Sequence, residues 1–243
     1  MHKIAENVYL EVGSGEPIES ENLVEFHLLY GGPLHSGGHD NPREEKHSIR
    51  RVFHSQLKRL WQTHPNLRRM AQMGGSTIVI KGDAVNTDFR VMFANKPIPE
   101  RNNMLVQLGL KELGEKWSRG KYKFVPLVTE ELCLRCSLEI LFLRAEEQNY
   151  ILQSGDIDGR LKALFDALRI AESGELPPKA SPTSDEDPFY CLLQDDKLIS
   201  EVRVNTGQLL KLPDAKPLDK HDVYLQITVR LNSAQLTNWS WVF

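Results

Sequence analysis

Apolar residues at Ile49, Val52, Phe53, Leu57, Leu60 and Trp61 return at intervals of three and four, which places them on one face of a helix. A different rhythm runs through Leu132–Leu143. There Leu132, Leu134, Cys136, Leu138, Ile140 and Phe142 alternate with Cys133, Arg135, Ser137 and Glu139, the period of a strand with one buried face. Leu23–Tyr30 alternates more loosely and reads as an opening strand that stops at Gly31–Gly32–Pro33. Further strands are expected at Ser76–Lys81, at Arg90–Phe93 across a Gly82–Asp83 turn, and at Phe189–Leu193, Leu198–Val204 and Val223–Leu231. Helices are expected at Asn103–Trp117, with Leu105, Leu108, Leu113 and Trp117 as partial core positions, and at Asp158–Ile170. Gly31–Arg43, rich in glycine, proline and histidine, reads as a surface loop, and Glu172–Pro188, rich in proline, serine and acid, as a mobile one.

The chain has 243 residues, 40% of them hydrophobic and 26% charged, which suits one globular domain with insertions. Acidic and polar residues interrupt every short apolar run of Met1–Val24, so no signal peptide is expected there, and no window approaches the ~18 apolar residues of a membrane helix. Three cysteines, an odd number, fit a reducing cytoplasm better than a secreted disulfide framework. Cys133 and Cys136 have the spacing of a redox or zinc motif, but on an alternating strand their sulfurs diverge, and a structural reading is preferred.

A net charge of −3 argues weakly against a nucleic-acid binder, yet the charge is unevenly placed. Lys46–Met73 contains no Asp or Glu while holding Lys46, Arg50, Arg51, Lys58, Arg59, Arg68 and Arg69. Arg50, Arg51, Lys58 and Arg59 fall off the apolar face of the first helix, which makes them either a solvated basic face or a phosphate-contacting one.

Candidate chemistry lies in Gly155–Leu168 and in Asp195–Asp196. Asp156 and Asp158 are two apart in an extended segment, so their carboxylates leave on the same side, and Asp158 stands where a helix begins. Asp158, Lys162 and Asp166 follow at intervals of four as one charged stripe. Leu161, Leu164, Phe165 and Leu168 form a separate apolar one. Carboxylates held close together repel, and a hard divalent cation such as Mg2+ relieves that repulsion. Taken singly, each group also has an ordinary structural role: a helix cap, surface i,i+4 pairs, an acidic turn.

Taken together, Asp156-x-Asp158, Lys162 four residues on, Asp166–Ala167–Leu168 and a distal Asp195–Asp196 before a strand resemble the RusA family of Holliday-junction resolvases. The order of elements agrees over roughly the C-terminal half. The resemblance implies an α+β fold, a mixed β-sheet packed against helices, spanning 1–243. Residues 1–22 would be an N-terminal extension, 74–131 an insertion of unknown role and 171–188 a mobile loop insertion. It further implies Mg2+, with Mn2+ as its substitute, bound by Asp156, Asp158 and Asp196, with Asp195 a less certain ligand. Lys162 would be catalytic, Asp166 a motif position without an assigned role, and Arg50, Arg51, Lys58, Arg59 and Arg160 would contact nucleic acid. The implied reaction is phosphodiester hydrolysis in branched or duplex DNA, by a cytoplasmic homodimer, in DNA repair, recombination, or a phage or defence context. Gly159 stands where the family usually has Asn, and Glu172–Pro188 separates two motifs that are usually close. A catalytically weakened RusA-like nucleic-acid-binding or assembly subunit, with protein partners in a larger complex, is the alternative.

Overall fold

The computed structural model describes residues 25–36, 43–69, 71, 97, 109–144, 157–172, 174–210, 219 and 221–233. Among the described residues, seven strands and two principal helices occur in the order β1 (Glu25–Pro33), α1 (Arg43–Thr63), β2 (Ser118–Arg119), β3 (Tyr122–Val128), β4 (Leu134–Arg144), α2 (Ile157–Leu168), β5 (Phe189–Leu193), β6 (Ile199–Gln208) and β7 (Asp222–Ser233). A four-stranded sheet has the order β1-β7-β4-β6, and a three-stranded sheet the order β2-β3-β5. β7 is antiparallel to both β1 and β4, whereas β4 runs parallel to β6 and β3 parallel to β5. The expected α+β class, mixed sheets packed with helices, is what the chain adopts. No helix among the described residues is long and apolar enough to cross a membrane.

Alternation decides which face of the larger sheet is buried. Leu138 lies opposite Val229, Ile140 opposite Ile227 and Phe142 opposite Leu225, and all six side chains are buried. Successive pairs on one face stack as layers, so a slip of one residue would turn the whole set outward. α1 lays Ile49, Phe53, Leu57 and Trp61, spaced by four, into the same core, and α2 adds Ala163, Leu164, Ala167 and Leu168. Val52, expected on the apolar face of α1, is 38% exposed and sits at its margin.

Two regions depart from the sequence reading. Residues 74–131 are not wholly an insertion, because Tyr122–Val128 is a core strand in which every residue but Lys123 is buried. A strand buried on both faces has no polar alternation to reveal it, and Pro126 at its middle argues against a strand. Pro126 is accommodated because β2 pairs only with Tyr122 and Lys123, leaving that side of β3 free of β2 farther along. Segment 171–188 is largely exposed or half-buried, but it is tied to the core at two points. Ala171 and Glu186 are buried, and Ser184–Glu186 forms a 3-10 turn held against α1. Its polar composition serves ion pairs with α1.

Other boundaries moved slightly. The helix expected at Asp158–Ile170 runs Ile157–Leu168, and the main strand starts at Leu134 because Cys133, with φ +51°, belongs to the preceding turn. Cys133 and Cys136 are free thiols. Residues 109–116 are helical, within the expected second helix. The strands expected at 76–81 and 90–93 and the extension 1–22 lie outside the described residues.

Candidate functional site

α2 carries the first acidic motif. Asp158 is in its opening turn and exposed, where a carboxylate complements the helix dipole, and Lys162 is exposed one turn on. Asp166 continues the spacing but not the role. Its Oδ2 accepts a hydrogen bond from Lys46 Nζ at 3.2 Å, and its Oδ1 accepts one from Arg169 Nη2 at 2.9 Å. The stripe therefore divides into two solvent-facing groups and a third that ties α2 to α1.

The second motif is shaped by a 3-10 turn, Asp196–Leu198. Asp195 caps it, its Oδ1 accepting the Lys197 backbone N–H at 3.0 Å. Leu198 is buried in the core and anchors the turn, while Asp196 stays exposed. This turn packs against both α2 and β4. Asp158, Lys162 and Asp196 form no side-chain hydrogen bond or ion pair with another described residue. Asp156 lies outside the described residues. Among the described residues no three His, Cys, Asp or Glu side chains gather closely enough to hold a metal ion.

The basic face of α1 differs most from expectation. Arg50 is 1% exposed. Its Nη2 donates to the Asp166 carbonyl at 2.9 Å and to Glu175 Oε2 at 2.7 Å. Burial pulls the Arg50 pKa down, with Glu175 working against that shift. Arg160, also expected to reach nucleic acid, is buried as well. Neither guanidinium is on a solvated surface. Periodicity locates the apolar stripe, but a long cation at its margin turns inward when another segment delivers a carboxylate to it.

Arg51 and Lys58 are also engaged. Arg51 pairs with Glu186, and Lys58 Nζ donates to the carbonyl of Asp185 at 2.6 Å and to its Oδ1 at 2.5 Å. Burial would raise the pKa of Glu186, but the Thr183 backbone N–H and Arg51 hold it below the usual carboxylate range. Of the four α1 cations expected to meet phosphate, only Arg59 has no such partner among the described residues. It lines a shallow groove between β1 and α1 with Phe26, His27, Gln56 and Leu60.

A group that the sequence reading missed lies beneath this face. His54 Nδ1 accepts the Tyr190 N–H at 2.9 Å, and its Nε2 meets the Asp185 carbonyl at 3.2 Å as donor. The ring stacks on Phe189 with centroids 4.5 Å apart. Burial lowers the pKa of His54 and of His47, whose Nε2 lies 3.1 Å from the Tyr122 hydroxyl. No motif spacing marks these histidines. Their fit with the acid-rich segment 171–188 depends on the tertiary fold.

Comparison of the chain with protein-family models, curated proteins and solved structures returns no match.

Proposed function

We propose that the chain is a Mg2+-dependent endonuclease of the RusA type, hydrolysing phosphodiesters in branched or otherwise structured DNA. The observation that supports this reading most is the packing of the Asp196–Leu198 turn on α2. α2 is the helix that carries Asp158 and Lys162, and Asp158, Lys162 and Asp196 are all exposed.

The donor chemistry fits the ion. Mg2+ uses one or a few carboxylates and keeps its remaining positions for water and substrate phosphate, and exposed Asp158 and Asp196 are oxygen donors of that kind. Asp156, Asp158 and Asp196 would hold it, while Asp195 shapes the turn that presents Asp196. Bound there, the ion supplies a water of lowered pKa and offsets charge on the phosphoryl oxygens. Lys162 places an ammonium beside the scissile phosphate, where negative charge grows in the transition state. Arg59 offers a phosphate contact at the surface. Arg51 and Lys58 would reach DNA only by leaving Glu186 and Asp185.

The test is cleavage of synthetic four-way junctions, flaps and linear duplexes with and without Mg2+. Cutting of a branched substrate by the wild-type chain, and binding without cutting by Asp158→Asn, is the expected result. A wild-type protein that binds these DNAs but cuts none of them with Mg2+ or Mn2+ fails the enzyme reading. It would select the alternative of a binding or assembly subunit. That alternative draws on Gly159 and on the carboxylates that already occupy Arg51 and Lys58.

A further inference from the structure

Two loops meet where the parallel strands β3 and β5 end. Val128 and Leu193, their last residues, are register partners, and the Gln194 N–H donates to the Val128 carbonyl at 2.9 Å. Functional sites of open sheets gather outside the carboxyl ends of parallel strands. Here those ends lead into Thr129–Glu130 and into Asp195–Lys197. Gln194 joins the two loops, its Oε1 accepting the Glu130 N–H at 3.0 Å. The Glu130 carbonyl accepts the Cys133 N–H at 2.9 Å, so its backbone is held on both sides. Lys197 is pinned through its own N–H by Asp195 and is followed by buried Leu198. Between the loops, Lys197 Nζ meets Glu130 Oε1 at 2.8 Å.

The two backbones are fixed, but the ion pair between them is not. Lys197 and Glu130 are 58% and 53% exposed in their side chains, and a solvated pair contributes little net stability. A phosphate oxygen can therefore replace the carboxylate on this ammonium at small cost. Arg51 is bound differently, because its partner Glu186 is 5% exposed and also accepts the Thr183 N–H. We propose that Lys197 is a phosphate contact of the nuclease site, its ammonium held by Glu130 until DNA takes the place of that carboxylate. The inference rests on the nuclease reading, in which Asp196, the preceding residue of the same 3-10 turn, is a metal ligand. From that position Lys197 grips a phosphate in the ground state and the transition state alike, whereas Lys162 acts on charge that grows in the transition state.

Steady-state cleavage of a four-way junction by the full chain with Mg2+ tests this. Lys197→Ala should raise KM by roughly tenfold, the loss of one charge-assisted contact, with a smaller change in kcat. The slope of log KM against log salt should fall by about 0.9, one phosphate contact fewer. Lys197→Arg should restore most of the loss. Glu130→Gln should lower KM in the wild-type background and leave it unchanged beside Lys197→Ala, because it acts through that ammonium. Thermal melts should be unaltered in all of these variants, since both side chains are exposed. A wild-type chain that cuts, with a Lys197→Ala variant that keeps its KM and salt slope, overturns the proposal and leaves the nuclease reading standing. So does a Glu130→Gln effect that is the same with and without Lys197. A wild-type chain that cuts no branched DNA fails the nuclease reading, and the proposal with it.

Discussion

Arg50 Nη2 meets Glu175 Oε2 at 2.7 Å, across 125 residues of sequence, and the guanidinium is almost wholly removed from solvent. Glu175 Oε1 also takes Arg169 Nη2 at 2.7 Å, so one carboxylate joins α1 to the end of α2. A buried pair is costly to break on one side, because the remaining charge stays desolvated. Arg50→Met and Glu175→Gln should each lower unfolding free energy by about 3 kcal/mol. The apolar double variant R50L/E175L should recover part of that loss. Urea denaturation measures all three.

Acidification should destabilise the chain in two windows. Burial sets the folded-state pKa of His54 and His47 below 6.5, so the folded protein binds their protons less readily than the unfolded one. Their contribution is complete above about pH 6.5 and is lost as pH falls from there through the folded-state values. Glu186, held low in the fold, adds a second loss below its ordinary value of 4.5. The urea midpoint should therefore fall between about pH 7.5 and pH 5. That fall should be smaller in His54→Phe, which has less to titrate in the same window.

Gln56→Ala should uncover the β1 edge. Two hydrogen bonds to Leu29 are lost at a partly exposed site, which predicts about 1–2 kcal/mol of destabilisation. Light scattering should also show stronger self-association than the wild type, because Leu29 then presents an open backbone at the edge.

The motif aspartates should separate into two kinds. Asp158→Asn and Lys162→Ala alter exposed groups, so stability should stay within about 0.5 kcal/mol of wild type. On the nuclease reading, Lys162→Ala should cost about 10²–10³ in cleavage rate, and a chelator should abolish cutting. Asp166→Asn should instead destabilise the fold by about 1–3 kcal/mol, because it weakens the bonds to Lys46 and Arg169. Thermal melts beside cleavage assays distinguish the two kinds.

The strands and helices with a single buried face were legible in the sequence: β4, β7, α1 and α2 show in their spacing which side is apolar. So was the opening turn of α2 with Asp158 and Lys162 one turn apart. β3 was not, because burial on both faces erases alternation. The ion pairs that segment 171–188 makes with α1 were not legible for a related reason: composition reports how polar a stretch is, not whether cations await it.

Sequence by itself determined the local periodicities and the identity of the acidic motifs, since both depend on neighbours within a few residues. Only the tertiary structure decided which charges remain available. Arg50 and Arg160 turned inward, Arg51 and Lys58 met Glu186 and Asp185, and Asp166 became a tie between helices, whereas Asp158, Lys162 and Asp196 stayed in solvent. The reason is that a charge is desolvated or left free by partners brought from distant segments, and spacing along one helix carries no record of them.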